Sequence, residues 1–175
     1  MDSSALKKLS YGVYIVSSVK DGRYNGRIAN TVFQVTSDPP TIAVSINRNN
    51  LTWEFVKASR VFAVSALREA TPMVFIGRFG FKSGRNIDKF EGISYKVGIT
   101  GAPVALENAV AYLEGKVINE MDVHTHTIFV AEVVAAEVIS EDVCMTYDYY
   151  HQIKGGKTPK SAATYIAGQP EIKPS

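Results

Sequence analysis

Cysteine occurs once in this 175-residue chain, at Cys144. One thiol forms no internal disulfide and no all-cysteine metal site. Without a C-x-x-C pair, neither a rubredoxin-type iron site nor an iron–sulfur cluster can be assembled from the chain alone. A G-x-G-x-x-G motif is also missing, which excludes a Rossmann nicotinamide site. No window holds about 18 uninterrupted apolar residues, so no spanning helix is expected. Net charge is only +2, too small to make nucleic acid or an anionic membrane the main partner. The first 18 residues, MDSSALKKLSYGVYIVSS, lack the apolar stretch and cleavage site of a secretory signal. The expected location is therefore the cytoplasm, with which a free thiol agrees. Gly155-Gly156-Lys157-Thr158 ends like a Walker A loop, but His151 stands where its first glycine belongs and Pro159 blocks the following helix.

What is present suits one folded domain with a sizeable core: 46% hydrophobic and 21% charged residues. There is no internal repeat and no linker. Residues 11–19 are rich in β-branched and aromatic types and are followed by the turn signal Asp21-Gly22. Residues 28–37 read as a second strand, with Phe33 and Val35 on one face and Gln34 and Thr36 on the other. Pro39-Pro40 breaks it, and residues 41–47 alternate as a third strand. Helical spacing follows over 51–59, with Asn50 as N-cap and Glu54 in the first turn. Residues 61–67 form a short buried strand. Thr71-Pro72 predicts an N-cap and a first helical proline, for a helix through about Phe79. Residues 77–92 form a polar, glycine-rich, locally basic loop. Strands are expected again over 95–99, 109–120 and 127–139, the last two long enough to bend or carry a bulge. A helical turn is expected at 147–153, and the final stretch as extended surface chain. Helices that do not alternate regularly with strands argue against a doubly wound sheet. A mainly β fold follows, a closed antiparallel barrel of six or seven strands with short inserted helices.

The block 26–52, GRIANTVFQVTSDPPTIAVSINRNNLT, is the most telling. Small amides and hydroxyls flank its strands, and Arg48 is the only cation at the second junction. Neutral donors at a strand-to-helix handover suit a phosphate-bearing ligand, because helix N-termini offer free N–H groups and a favourable dipole. The same donors serve equally as ordinary caps and turn residues.

Four stretches resemble the flavin reductase-like family: NGRIANT through NRNNLT, then RFGFKSGRNIDKF, then Gly101-Ala102-Pro103, then HTIFVAEV. Within it the chain is most similar to flavoredoxin and the flavin domain of high-molecular-weight rubredoxin, whose C-terminal signature TYDYYHQIKGGKTPKSAATY resembles. The resemblance spans residues 9–165. It implies the FMN-binding split β-barrel, a Greek-key homodimer with one flavin per subunit, and a core over about 9–145 followed by a dimer- or cofactor-covering tail at 146–175. It further implies FMN in preference to FAD, and NAD(P)H as a transient co-substrate. Electrons would pass to a flavin, ferric iron or a redox protein such as rubredoxin or a flavodiiron-type protein. A flavoredoxin-type carrier reduced by a protein donor is the alternative, and a non-redox split-barrel dimer is a third.

By the same resemblance, Ala29, Asn30 and Thr31 lie along the isoalloxazine. Asn47, Arg48, Asn49 and Thr52 answer the phosphate. Ser83, Arg85 and Lys89 belong to a loop that closes over FMN or the nicotinamide, although Lys89 reads equally well as structural. His126 is a flavin or nicotinamide contact, on an inward-facing strand position. His124-Thr125 stands before it where many family members carry Gly-Asp. His124 and His126, two apart on one strand face, lack a third ligand, so no metal is expected. Trp53 and the tail tyrosines are packing candidates, some able to reach a partner subunit, and Cys144 has no nucleophile context.

Overall fold

A computed structural model describes residues 2–166 of the chain. After a 3-10 helix at Ser3–Lys8, the chain forms β1 (Tyr14–Lys20), β2 (Arg23–Ala29), β3 (Val32–Ser37) and β4 (Pro40–Asn47). Next come α1 (Leu51–Ser59), β5 (Val61–Leu67) and α2 (Met73–Gly80). Short strands β6 (Tyr95–Val97) and β7 (Pro103–Ala105) precede the long pair β8 (Ala109–Val123) and β9 (His126–Val138), and α3 (Tyr147–Gln152) follows.

Seven strands make one antiparallel sheet in the order β2-β1-β5-β8-β9-β4-β3, and β6 pairs with β7 separately. Its two edges, β2 and β3, are consecutive in sequence. Only Asn30 and Thr31 lie between them, and three Cα steps span about 11 Å at most. The sheet must therefore curl until its edges nearly meet, which makes it a split barrel with its seam at Asn30-Thr31. Ser45 N donates to Thr31 O at 3.1 Å, stitching the seam to β4.

Inside the barrel pack Val16, Ile42, Val44, Ile46, Phe62, Val64 and Phe129, with Val56 of α1 closing one end. The neighbouring residue Ile15 points the other way, into a second cluster with Phe75, Ile76 and Phe79 of α2, Phe90 and Tyr150. Strand β1 is thus buried on both faces, so burial along it is continuous from Ile15 to Ser18 rather than alternating.

Local signals placed several elements accurately. Asp21 and Gly22 turn the β1–β2 hairpin with φ of 50° and 71°, the positive values a two-residue hairpin turn needs. Asn50 caps α1 by accepting from Thr52 N at 3.0 Å. The expected bulges occur in the β8–β9 pairing, at Glu114/Gly115 and Val117/Asn119.

Other readings need correction. Residues 28–37 are not one strand, because the chain breaks at Asn30-Thr31 to cross from one sheet edge to the other. Phe33 and Val35 are exposed along with Gln34 and Thr36, since β3 is an edge. Pro72, not Thr71, is the N-cap of α2, and the Thr71 hydroxyl instead donates to Arg68 O at 2.6 Å. Strand β7 and the N-terminal 3-10 helix carried no periodic signal. The expected extended tail end, 167–175, lies outside the described residues. No helix among the described residues is long and apolar enough to cross a membrane.

Candidate functional site

The seam opens a cleft. It is lined by Arg27, Ala29, Asn30 and Thr31, by Ser45 of β4, by His126 at the start of β9, and by Tyr147 and Tyr150 of α3. Asn30 Nδ2 donates to Thr164 Oγ1 at 2.8 Å, and Thr31 Oγ1 donates to Ser45 O at 3.3 Å. The chain after α3 folds back over this cleft as a strap, whose Lys157, Pro159, Ala162 and Ala163 complete the lining. Tyr150 donates its hydroxyl to Lys157 O at 3.0 Å, and Tyr147 and Thr158 share a hydroxyl–hydroxyl bond of 2.6 Å. Tyr147 and Tyr150 pack on the core of their own chain.

A second group of polar residues gathers at the N-terminus of α1. Asn47 Oδ1 accepts from Asn49 N at 3.0 Å, which shapes the turn into the helix. Thr52 is fully buried, and its Oγ1 meets Asn25 Nδ2 of β2 at 2.8 Å. The loop 83–85 joins them. Ser83 Oγ accepts from Arg85 N, Arg85 pairs with Glu54 of α1, and Gly84 presses against Asn25. The structure thus brings the pair Ser83 and Arg85 to the turn of Asn49 and Thr52, about 30 residues earlier in sequence.

Asn25, which the sequence reading passed over inside its own motif, holds this cluster together. It is 2% exposed, and its Oδ1 has no partner among the described residues. Whichever way the amide is turned, Thr52 can satisfy only one of its two polar atoms. A buried unsatisfied amide atom costs about 1–3 kcal/mol. The orphaned amide atom lies against Gly84 beside the N-terminus of α1, a donor-rich corner suited to a ligand carrying both hydroxyls and a phosphate, as FMN does. The residues present therefore fit that cofactor.

Two of the expected phosphate or lid residues have partners within the protein. Arg48 donates to His124 O and approaches Asp122 at 3.8 Å, holding the β8–β9 hairpin tip. The same tip is tied down by Trp53, whose Nε1 donates to Thr127 Oγ1 at 2.8 Å. Lys89 is a clamp between β2 and α2. Its buried Nζ donates to Gly26 O at 2.9 Å and Phe79 O at 3.0 Å. His124 is not on a strand face with His126. It sits in the hairpin turn with φ of 49°, and among the described residues no group of metal-ligating side chains forms.

The electrostatics are one-signed. Arg27, His126 and Lys157 line the cleft, and among the described residues no carboxylate does. Burial pulls Arg27 down to about 10, still charged at neutral pH. Burial, then the charge of Arg27, holds His126 below its ordinary value, so it is neutral near pH 7. Burial, then Arg27, lowers Lys89 to about 8. The fold therefore binds fewer protons than the unfolded chain between about pH 8 and 10.5, and stability rises with pH across that window. A neutral amine still keeps two N–H groups for its two carbonyls. We expect wild-type stability to gain ~2 kcal/mol relative to Lys89→Met between pH 8 and 10. Urea denaturation at several pH values checks this, and parallel curves would refute it.

Comparison with known proteins shows the family and the fold. The family described as flavin reductase like domain matches residues 6–154. A high molecular weight rubredoxin of Moorella thermoacetica is 50% identical over 173 residues, covering 99% of this chain and 76% of the relative. A ferric-chelate reductase (NAD(P)H) of Archaeoglobus fulgidus is 52% identical over 166 residues, covering 95% and 98%. The crystal structure of an FMN-binding protein from Thermus thermophilus superposes with a TM-score of 0.70 at 26% identity, covering 75% of this chain and 72% of that one.

Proposed function

This chain belongs to the flavin reductase-like family, and from that premise we propose that it takes electrons from NAD(P)H onto FMN and passes them to ferric iron, a free flavin or a redox protein. It is a flavin reductase-like oxidoreductase. The observation that carries the finer reading is a pair of polar clusters joined by strand β2. One surrounds the cleft at Ala29, Asn30, Thr31 and His126; the other surrounds Asn25, Thr52 and Gly84.

In this reading, Ala29, Asn30 and Thr31 present hydrogen-bonding groups to the edge of the ring. Asn49, Thr52, Ser83 and Arg85, with the N-terminus of α1, hold the ribityl phosphate. Asn47 shapes that turn. Arg48 and Lys89 position the elements around the site instead of touching the cofactor. His126 stays neutral and orients what enters the cleft, because hydride transfer needs no acid from the protein. FMN itself supplies the chemistry, accepting two electrons together and releasing them singly or in pairs. The tail from 146 onward is a cover for the site. Phe33 and Val35 of β3, with Ile118 and Met121 of β8, expose apolar surface suited to a homodimer. A nicotinamide donor implies the cytoplasm.

One observation favours a second reading. The strap over the cleft restricts entry of a nicotinamide, as suits a flavoredoxin-type carrier whose tightly held FMN is reduced by a protein such as rubredoxin. The visible spectrum of freshly purified protein, before and after anaerobic NADH or NADPH, separates the two. A flavin band that bleaches within seconds supports the reductase. Bleaching by dithionite alone supports the carrier. Absence of flavin binding, even after incubation with FMN and FAD, overturns both.

A further inference from the structure

Arg27 is only 7% exposed and lies on β2 at the wall of the seam cleft. Its Nε donates to Ile28 O at 3.0 Å. Among the described residues no carboxylate forms an ion pair with it, and no Asp or Glu lines the cleft. Its electrostatic neighbours, Lys89 and His126, cannot compensate it. A buried cation without a counter-charge is costly, and a neutral side chain would fill the same space at less cost. Stability therefore does not account for the guanidinium; a negative ligand does.

The position on β2 indicates which part of the ligand. Asn25, Arg27 and Ala29 alternate along one face, about 7 Å apart. Asn25 belongs to the cluster at α1, and Ala29 begins the seam segment. Arg27 shares its cleft with Asn30, Thr31 and His126, whereas Thr52, Ser83 and Arg85 are absent from that lining. This placement rests on the flavin reading above. Hydride transfer moves two electrons and one proton from the nicotinamide to the ring. The donor leaves as an oxidised nicotinamide cation equivalent, and the reduced flavin keeps one extra negative charge.

We propose that Arg27 balances that charge: it faces the flavin ring, not the phosphate, and makes the cleft hold the reduced anion more tightly than the oxidised cofactor. Arg27 is thus a determinant of the flavin's reduction potential.

The test uses the full chain with Arg27→Gln and Arg27→Lys, loaded with FMN or with riboflavin, which lacks the phosphate. Oxidised-flavin affinity is read by fluorescence quenching and the midpoint potential by dye equilibration. For Arg27→Gln, affinity for oxidised FMN should stay within about threefold. The preference for the reduced form should fall about tenfold, equivalent to ~30 mV for a two-electron couple, with either flavin. Arg27→Lys should restore most of it. In the wild type, the reduced cofactor should remain anionic to about one pH unit or more below free reduced FMN, a measurement that needs no variant. An unchanged potential in Arg27→Gln, or a neutral reduced flavin at pH 7 in the wild type, overturns the proposal. Loss of FMN affinity with riboflavin unaffected also overturns it, by assigning Arg27 to the phosphate. A wild-type protein that binds neither flavin overturns the underlying flavin reading instead.

Discussion

Replacing Glu114 by alanine is expected to cost about 3–4 kcal/mol of stability, because three hydrogen-bond donors lose their common acceptor. Glu114 lies on β8 and is 1% exposed. Its carboxylate accepts from Ile99 N at 3.2 Å, Thr100 N at 2.9 Å and Thr100 Oγ1 at 2.7 Å. It thereby plugs the loop that leads into β7, whose first carbonyl, Pro103 O, accepts from the buried Ser17 hydroxyl of β1. Alanine leaves those donors facing a cavity, while glutamine turns one acceptor into a donor against an N–H group. Glu114→Gln should therefore cost less, about 2 kcal/mol. Gly98 supplies a coupled check. A Cβ added there would lie 2.2 Å from Glu114 Oε2, so Gly98→Ala clashes in the wild type and fits better once the carboxylate is gone. The double variant should be more stable than the sum of the single losses predicts. Urea denaturation with unchanged m-values is the measurement. A loss below about 1 kcal/mol for Glu114→Ala would show that the plug is dispensable.

For ligand binding, the largest expected effect is that of Gly84→Ala: a tenfold or greater loss of FMN affinity, with stability lowered by only about 1–2 kcal/mol. A Cβ at Gly84 would lie 1.9 Å from Asn25 Oδ1 and 3.1 Å from Leu51 Cδ2. The Asn25 side chain has no room to retreat, because it is buried and bonded to Thr52. Relief must come from the loop 83–85 moving outward. That movement separates Ser83 and Arg85 from the helix N-terminus they face, and so dismantles the cradle proposed for the phosphate. Fluorescence titration with FMN and with riboflavin reads the effect directly. The loss should be confined to FMN. Equal losses for both flavins would place the damage at the ring, and no loss would remove loop 83–85 from the site. Arg27, farther along β2, and Lys89, bonded to Gly26 O of that strand, should keep their bonds, so the pH dependence of stability assigned to Lys89 should persist in this variant.

Much of the fold is local, and the amino-acid sequence alone determined it. Asp21-Gly22 demands a two-residue turn, Asn50 ends a strand and caps a helix, and the apolar run 61–67 can only be a buried strand. The polar blocks at 47–52 and 83–89 and the neighbourhood of His126 stood out in the sequence as candidates, because donors are gathered there. Their partners were not legible. Nothing near Lys89 in sequence announces that its amine will bond Gly26 O, 63 residues away. Nor does anything near Arg48 announce that it will bond the turn at His124 O, 76 residues away. Asn30-Thr31 looked like the interior of a strand, because its break is imposed by closure of the sheet and not by any turn residue. Asn25 and Arg27 read as ordinary strand positions until the barrel curled them against α1 and the seam. Hydrogen-bond and charge partners are chosen by strand order and sheet curvature, which juxtapose distant residues and lie beyond any local window. Only the tertiary structure decided which of the gathered donors face the cleft and which merely hold it open.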